Sequence, residues 1–292
     1  MGDVLAGFHA VWEFDTDSVL IRFERGIRRP KLFQALGERR VPYEALRSVE
    51  LSEGRRGTVV LRAVPRPGAD PLMEAANGQL KDDLDPYRLV LPAEREVLAE
   101  YYRDELRAAL GPAAALPADE HLVTAPEPPM TFKAYDGKAT FDGSAVAFRW
   151  FWTGASSAKW KRGDQSFPVG GLSGVEWRSP EWGSGHLRLV ERGPEEERPG
   201  EADQDPAAVV FGLGYGPVHE SLPFAAAVLQ AVRAAAPSED TAVRRAVRPR
   251  ADTRSDPADI ADRIRQLGEL HTAGLLTDAE FTAKKAELLA EL

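Results

Sequence analysis

Apolar and polar residues alternate in two stretches of the chain that lie 127 positions apart. The apolar positions are Val19, Ile21 and Phe23 in the first stretch, and Val146, Phe148 and Trp150 in the second. A period of two is typical of a strand with one buried face, because successive side chains of a strand point to opposite sides. Each stretch therefore predicts a half-buried β-strand with these side chains in the core.

The residues around these strands also recur, which indicates an internal duplication. The recurring pairs are Phe14-Asp15, Val41-Pro42, Val49-Glu50, Leu61-Arg62 and Asp85-Pro86 in the first copy, and Phe141-Asp142, Phe167-Pro168, Val175-Glu176, Leu187-Arg188 and Asp205-Pro206 in the second. The spacing between partners is 127 at the start, 126 in the middle and 120 at the end, so loops absorb the slips. The repeated order predicts two copies of one fold.

Each copy then changes to a helical period, and a helix from about Glu94 to Leu110 is predicted at the end of the first. The residues predicted to share the buried face are Leu98, Tyr102, Leu106 and Ala109 in the first copy, and Phe224, Val228 and Val232 in the second. The predicted fold class is α+β, with two tandem antiparallel β-barrel or curled-sheet domains at residues 1–112 and 130–236. A C-terminal helix closes each domain.

This pattern resembles a pleckstrin-homology-like (PH-like) fold. The strand entry Phe141-Asp142-Gly143 and the later Val-Glu pair are similar to the actinobacterial domain-of-unknown-function family 4429, which often occurs as tandem copies. The first copy departs from the pattern, because Thr16 stands where the second copy has Gly143.

Two segments lack hydrophobic periodicity and are predicted to be linkers. Residues 113–129 are rich in Pro and Ala, which predicts a semi-stiff spacer. Residues 237–255 carry several arginines and predict a flexible linker. The acidic stretch from Glu191 to Asp205 is expected to be a solvated loop.

The last segment, residues 256–292, has the pattern of an α-helical hairpin. Asp256-Pro257 supplies an N-cap with Pro at the first helical position, and Gly274 supplies a helix end. Thr277 and Glu280 form a capping box at the start of a second helix. The apolar positions predicted to mediate oligomerisation or partner binding are Ile260, Ile264, Leu267, Leu270, Leu276, Phe281, Leu288 and Leu289.

This hairpin closely resembles the SHOCT domain, and the resemblance implies an oligomerisation or interaction role rather than catalysis. A size argument leads to a similar expectation. A hairpin below about 40 residues without metal or disulfide rarely buries enough surface to offset its ordering cost. Its apolar stripe must be covered by a second copy, by the body of this chain or by another protein. Self-association is the preferred interpretation, because symmetric homo-oligomers are common.

The composition of the chain excludes several classes of function. The chain has 292 residues and no Cys, so disulfides and thiolate chemistry are excluded. Its 37 basic and 46 acidic residues give a net charge of −9, which argues against a nucleic-acid partner. No apolar run approaches the roughly 18–20 residues of a membrane span, and the N-terminus lacks the pattern of a secretion signal. We expect a cytoplasmic protein, peripheral at the membrane if it binds lipid.

The sequence contains no catalytic or cofactor motif in the predicted structural context that the motif would require. The five histidines show no metal-ligand spacing. Gly212-x-Gly214-x-Gly216 invites a dinucleotide interpretation, which we reject because the segment from Pro217 to Pro223 is predicted to separate the glycines from the following helix. The prediction is a protein that is not an enzyme and binds no cofactor or metal.

Two basic stretches studded with aromatic residues follow the matched strands of the two copies. Their candidate anion- or lipid-binding residues are Arg25, Arg28, Arg29 and Lys31 in the first copy, and Trp152, Lys159, Trp160, Lys161 and Arg162 in the second. Clustered cations with aromatic residues suit an anionic membrane surface or a phosphorylated ligand. The simpler alternative is that these arginines are ordinary solvated residues on the outer face of a strand.

The leading hypothesis is a non-enzymatic assembly or adaptor protein, whose tandem domains present interaction surfaces and whose tail mediates oligomerisation or partner binding. The alternative hypothesis is a peripheral module that binds anionic lipid or a phosphorylated ligand through the basic and aromatic loops. The two hypotheses differ in which part of the chain binds the partner.

Overall fold

In a computed structural model of the chain, residues 3–26, 29–183, 185–193 and 200–236 are described. The predicted linker at 237–255 and the predicted hairpin at 256–292 lie outside the described residues. The eight candidate oligomerisation residues, Ile260, Ile264, Leu267, Leu270, Leu276, Phe281, Leu288 and Leu289, therefore lie outside them as well.

The first half of the described chain forms one four-stranded and one three-stranded antiparallel sheet. The first sheet contains β1 (Asp3–Ala6), β2 (Ala10–Phe14), β3 (Ser18–Phe23) and β4 (Glu38–Pro42), and the second contains β5 (Leu46–Glu53), β6 (Thr58–Pro65) and β7 (Arg88–Pro92). Within each sheet, neighbours in the chain are neighbours in space. The strands are therefore simple antiparallel meanders.

The second half repeats this order of sheets. Its four-stranded sheet contains β8 (Met130–Lys133), β9 (Gly137–Phe141), β10 (Ala145–Trp150) and β11 (Gln165–Pro168), and its three-stranded sheet contains β12 (Leu172–Arg178), β13 (His186–Glu191) and β14 (Ala208–Val210). The predicted strands β3 and β10 are third in their sheets, and their apolar alternate residues are buried. The duplicated order of elements is thus present in the structure.

The alternative of a closed β-barrel was wrong for the described residues, in which the strands form four separate sheets. A short 3-10 turn, Tyr43–Ala45 or Val169–Gly171, joins the four-stranded sheet of each half to the three-stranded one. The last strand before each turn and the first strand after it share no ladder, because the turn redirects the chain. Each half therefore has two open sheets rather than one closed cylinder.

Five α-helices are described: α1 (Lys31–Leu36), α2 (Pro71–Ala76), α3 (Glu96–Ala109), α4 (Ser157–Arg162) and α5 (Val218–Ala234). The buried residues of α3 are Ala99, Tyr102 and Leu106. Leu98 and Ala109, which the pattern placed on the buried face, are exposed. The buried face lies toward Ala99, and α3 packs on β5, β6 and β7.

Helix α5 joins the two halves into one compact unit, Met1–Ala236. It packs on β8 and β12 of its own half and on α1 and α2 of the first half. Phe224, Val228 and Val232 are buried, as predicted, and so are residues on the other sides of the helix, such as Leu222 and Ala226. The hydrophobic core is therefore continuous between the halves.

The segment at 113–129 is packed against the protein rather than held away from it as a spacer. The Arg66 guanidinium donates hydrogen bonds to the carbonyl oxygens of Leu116 and Pro117, at 2.8 and 2.9 Å. The amides of Leu122 and Val123 donate to the carbonyl oxygen of Ala69. These backbone contacts fix the path of the connection between the halves.

Candidate functional site

The two basic stretches occupy equivalent places in the fold. Each lies in the connection between the third and fourth strands of its half, and each contains one short helix, α1 or α4. Both helices end at a glycine with positive φ, 66° at Gly37 and 70° at Gly163, a backbone conformation that glycine adopts without steric cost. The predicted correspondence between the stretches is therefore present in the structure.

The first stretch does not form a concentrated patch of free charge. Arg25 and Lys31 are exposed, whereas Arg28 lies outside the described residues. Arg29 is half-buried; its guanidinium donates to a Glu24 carboxylate oxygen and lies 2.6 Å from His9 Nδ1. Burial and the nearby Arg29 charge lower the pKa of His9. Because Glu24 compensates Arg29, only Arg25 and Lys31 of the described candidates present uncompensated charge.

The second stretch brings exposed aromatic and basic side chains together. Trp152 is 48% exposed, and its ring meets that of Trp160 in a T-shaped contact with centroids 4.9 Å apart. Lys161 and Arg162 follow at the end of α4, and both are exposed. Four of the five candidates in this stretch are therefore exposed or half-exposed, and two of them are in contact.

Lys159 is the exception, and its assignment to a lipid-binding surface was wrong. The residue is 0% exposed. Its Nζ donates to Asp136 Oδ2 at 2.5 Å and to the Ala208 carbonyl oxygen at 2.8 Å, and it lies 4.9 Å from the centroid of the Trp150 ring. Burial lowers the pKa of Lys159 and raises that of Asp136, and the opposite charge of each partner counteracts both shifts. An ion pair enclosed in this way is unavailable to a membrane.

Three exposed apolar side chains that the sequence interpretation missed lie in two connections next to the one that carries Trp152. Tyr135 is in the turn between β8 and β9, and Leu213 and Tyr215 are between β14 and α5. The Tyr135 and Tyr215 rings are 6.2 Å apart at their centroids, and Leu213 is fully exposed. The amide of Phe151, next to Trp152, donates to the carbonyl oxygen of Asp136, next to Tyr135, at 2.9 Å. Backbone contacts thus bring the three connections together.

Two lysines at the same hairpin were also missed. Lys133 and Lys138 are opposite each other in the register of β8 and β9, and Lys138 is also opposite Arg149 in β10. Like charges in directly opposed positions are unfavourable unless an anion lies near them. In the described part of the chain, neither lysine has an ion-pair partner. The Asp136-Gly137 dipeptide, a hairpin signal, could have revealed this pairing.

We call this region of the second half the basic-aromatic surface. Its members share exposure, or half-exposure, around the three connections, and they are Lys133, Tyr135, Lys138, Trp152, Trp160, Lys161, Arg162, Leu213 and Tyr215. Exposed apolar side chains grouped on a folded protein mark interaction surfaces. Basic and apolar side chains grouped in this way are suited to contact with an anionic or apolar partner.

The glycine-rich connection before α5 is a tight turn. The predicted separation of its glycines from the following helix, on which the rejection of a nucleotide loop depended, was wrong. Helix α5 begins at Val218 and contains Pro223, so no spacer separates the glycines from it. The amides of Gly212 and Tyr215 donate to each other's carbonyl oxygens, and the Gly216 amide donates to the Lys133 carbonyl oxygen. These three donors are already used in backbone hydrogen bonds, so they do not point toward a phosphate.

A cleft of about 560 Å³ lies between the halves, beside this turn. Lys31 and Leu32 line it from the first half, and Val218 and His219 line it from the second. Burial lowers the pKa of His219; the Glu220 charge raises it and the Lys31 charge lowers it further. Among the described residues, no group of three or more acidic or histidine side chains could hold a metal ion.

A family model for a domain of unknown function, DUF4429, matches residues 12–107 and again residues 139–229. The two matches together cover more than half of the chain. The chain belongs to the DUF4429 family. One DUF4429 match falls in each half of the described unit, in agreement with the duplication.

The comparisons add one more domain. Residues 262–289 match the Short C-terminal domain, SHOCT, which confirms the resemblance noted for the tail. A search of curated proteins found no match. Of the helices in the described ranges, none has both the length and the apolar character to cross a membrane.

Proposed function

We propose that this DUF4429 protein is a non-enzymatic assembly or adaptor protein. Its duplicated unit presents an interaction surface, and its SHOCT segment mediates self-association or binds a partner protein. The observation that carries the proposal is the basic-aromatic surface, where Trp152, Leu213 and Tyr215 are exposed on short, hydrogen-bonded connections. Rigid exposed aromatic side chains lose little conformational entropy on binding, which favours recognition.

The order of elements in each half supports a PH-like interpretation of the fold. Four strands, then three strands, then a helix occur twice, and α3 and α5 each pack against the three-stranded sheet of their own half. We infer that both halves are PH-like domains that have lost their independence through α5. Such a double domain in the cytoplasm would present one rigid surface to a partner.

The SHOCT part of the proposal depends on the size argument. The matched segment of 262–289 is short, and its apolar stripe requires a cover. Several weak sites linked in one oligomer gain avidity through effective concentration. Self-association by the tail would multiply the basic-aromatic surface in this way.

The native mass of two forms tests this proposal. The full chain is compared with a shortened chain that ends at residue 236, the boundary of the compact unit. Light scattering over a range of concentrations should give a mass above the monomer for the full chain and the monomer mass for the shortened one. Equal monomer masses for the two forms would contradict the self-association part of the proposal.

A second candidate function is peripheral binding to an anionic membrane. The pair Lys133 and Lys138 favours it, together with exposed Lys161 and Arg162 in the same connection as exposed Trp152. Each basic residue near an anionic surface adds about 1 kcal/mol of attraction, and interfacial Trp and Tyr add apolar contact. Of the described candidates in the first stretch, only Arg25 and Lys31 present uncompensated charge, against four basic residues on the basic-aromatic surface, so we expect the first stretch to contribute less.

Co-sedimentation of the full chain with vesicles tests this candidate. Binding should require an acidic lipid such as phosphatidylserine and should weaken as salt screens the charges. The double variant Lys161→Glu/Arg162→Glu should lose most of the binding. The matched triple variant Arg28→Glu/Arg29→Glu/Lys31→Glu should lose less. Equal binding to neutral vesicles would argue against a charge-based site.

A further inference from the structure

We propose that the buried ion pair of Lys159 and Asp136 is a clamp that positions the three connections of the basic-aromatic surface. The pair lies beneath the surface and contributes no exposed charge to it. This inference rests on the proposed binding role of that surface, and it assigns Lys159 and Asp136 as positioning residues. A positioning role explains why a lysine in a basic, aromatic stretch points inward.

The clamp joins three segments that are distant in sequence. Asp136 is in the β8–β9 turn, next to Tyr135. Its Oδ2 accepts a hydrogen bond from Lys159 Nζ in α4, and its Oδ1 accepts one at 2.9 Å from the Val210 amide at the end of β14. Lys159 Nζ also donates to the Ala208 carbonyl oxygen. Two side chains thus fix the turn, the short helix and the strand that leads to Leu213.

Backbone contacts around the clamp show how closely these segments approach. The Tyr135 amide donates to the Val210 carbonyl oxygen at 2.9 Å. A Cβ atom at Gly154 would lie 2.2 Å from the Tyr135 carbonyl oxygen, so only glycine allows this approach. The connection that carries Trp152 therefore lies directly against the turn that carries Tyr135.

The first half shows that the fold does not need this pair. Equivalent positions are Phe33 for Lys159 and Phe23 for Trp150, and these two rings stack with centroids 4.7 Å apart. His9 takes the position of Asp136 and contacts Arg29 instead. In the first half, aromatic packing fills the equivalent position, so no lysine or carboxylate has to be removed from water. Because burying an ion pair carries a desolvation cost, its directional hydrogen bonds are the feature that apolar packing could not supply.

Hydrogen exchange of the full chain tests the clamp, and vesicle binding tests its consequence. The main variant is Lys159→Met, which keeps the length of the side chain and removes the charge. The matched control is Arg39→Met, which breaks the buried Arg39–Asp70 pair of the first half, 2.7 Å in length. The vesicles contain phosphatidylserine and phosphatidylcholine, with phosphatidylcholine alone as the neutral arm.

In Lys159→Met, amides of residues 134–136, 151–162 and 208–216 should exchange at least about tenfold faster as a group, while β1 to β3 keep their protection. Affinity for the acidic vesicles should fall about tenfold, because the three connections of the surface are no longer held in place. Arg39→Met should loosen α2 and its contact with α5, and it should leave both exchange in the three segments and vesicle binding unchanged. Unchanged exchange in the three segments, or an equal rise throughout both halves, would overturn the clamp.

Asp136→Asn provides a second variant if Lys159→Met does not fold. The amide keeps the size of the side chain and an oxygen for the Val210 amide. A smaller rise in exchange is expected in the same three segments, and no rise would overturn the proposal. In the unmodified chain, rapid exchange at Val210 would overturn it as well.

The two arms separate the clamp from the membrane function. If the unmodified chain does not bind acidic vesicles but Lys159→Met still loosens the three segments together, the membrane candidate fails and the clamp is supported. If the unmodified chain binds and Lys159→Met loosens the segments without loss of binding, the surface does not depend on the clamp and the inference fails.

Discussion

Helices α3 and α5 occupy the same position in the two halves, but they differ in what surrounds them. Tyr102 of α3 stacks on Phe14, and at the corresponding place Phe224 of α5 meets Phe141 edge to face. This aligned pair fixes the register of the helices. Beyond it, α3 presents an exposed face, whereas α5 is buried on most sides. One helix closes a domain, and the other also forms the interface between two domains.

The side chains at equivalent positions of α3 and α5 differ in the same way. Asp104 and Glu105 of α3 are exposed, and they align with Ala226 and Ala227 of α5, which are buried. Small apolar residues let α1 and α2 of the first half approach α5 closely, and charged residues at those positions would prevent it. A duplicated sequence has therefore diverged most clearly where one copy became an interface.

Helix α2, which covers α5, is itself held by a buried polar cluster. Asp70 caps α2 by accepting a hydrogen bond from the Leu72 amide. The same carboxylate accepts hydrogen bonds from Arg39 and from the Tyr87 hydroxyl, each at 2.7 Å. Burial and the Asp70 charge raise the pKa of Tyr87 well above its usual range, so the hydroxyl stays protonated and donates. The cluster fixes α2 where α5 needs it.

The largest effect is expected from placing the α3 residue into α5. Ala226→Asp would bury an unpaired carboxyl group at the interface and should lower the free energy of unfolding by about 3–5 kcal/mol. The midpoint of urea denaturation, followed by circular dichroism, measures the change. The reverse exchange, Asp104→Ala in α3, is the control and should stay within about 0.5 kcal/mol of the unmodified chain. Similar losses in both variants would refute the comparison of the helices.

A smaller effect is expected from Gln79, which links the halves beside α2. Its side-chain amide donates to the Trp177 carbonyl oxygen and accepts from the Ser179 amide, both at 3.0 Å. Gln79→Ala should cost about 1–2 kcal/mol, because two backbone groups lose their partners. Gln204→Ala, whose side chain bonds only to neighbouring Asp203 in the described residues, should change the urea midpoint very little. No difference between the variants would show that this contact does not hold the halves together.

Glu74 of α2 should produce a smaller and pH-dependent effect. His121 and Arg233, the latter from α5, lie 3.1 and 3.3 Å from its carboxylate oxygens. The hydrogen bond with His121 and the Arg233 charge lower the pKa of Glu74, against the opposing effect of burial. Because the folded-state pKa is below the unfolded one, the stabilisation is present at neutral pH and is lost as the pH falls through the folded-state value.

The variant Glu74→Gln measures this contribution. It should lower the free energy of unfolding by less than about 1 kcal/mol at pH 7. The difference from the unmodified chain should shrink as urea titrations are repeated below about pH 4. A difference that stays constant across the acid range would mean that the carboxylate charge is not involved.

The smallest effect is expected on the exposed face of α3. Val97 and Tyr101 are 78% and 52% exposed and lie one turn apart. Val97→Ser and Tyr101→Ser should each change stability by no more than about 0.5 kcal/mol, because little apolar area is buried there. If either variant instead lost stability clearly, and the loss depended on protein concentration, the result would show that a second chain covers this face.

Much of the architecture could be predicted because it depends on short-range pattern. The alternation at Val146, Phe148 and Trp150 indicated a strand, and the repeated anchors indicated the duplication. Even the ion pairs at the repeated Asp-Pro anchors correspond: Arg62 pairs with Asp85 and Arg188 with Asp205. Residues with the same local neighbours in both copies behaved as their pattern suggested.

The candidate site was only partly predictable. Trp152, Lys161 and Arg162 were found because they are adjacent in sequence, but Tyr135 and Tyr215 come from connections far apart in the chain. Lys159 was assigned to the surface because nothing in its local sequence indicates Asp136 as a buried partner. The direction of its side chain depends on a contact across 23 positions of the sequence.

The amino-acid sequence alone determined the duplicated order of strands and helix, the absence of cysteine chemistry and the matched C-terminal segment, since composition and local periodicity are properties of neighbouring residues. Tertiary structure alone decided that α5 is enclosed by the other half, that Lys159 points inward and that three separate connections form one surface. These outcomes depend on which elements meet in space, and burial and charge compensation act on residues only after those elements have come together.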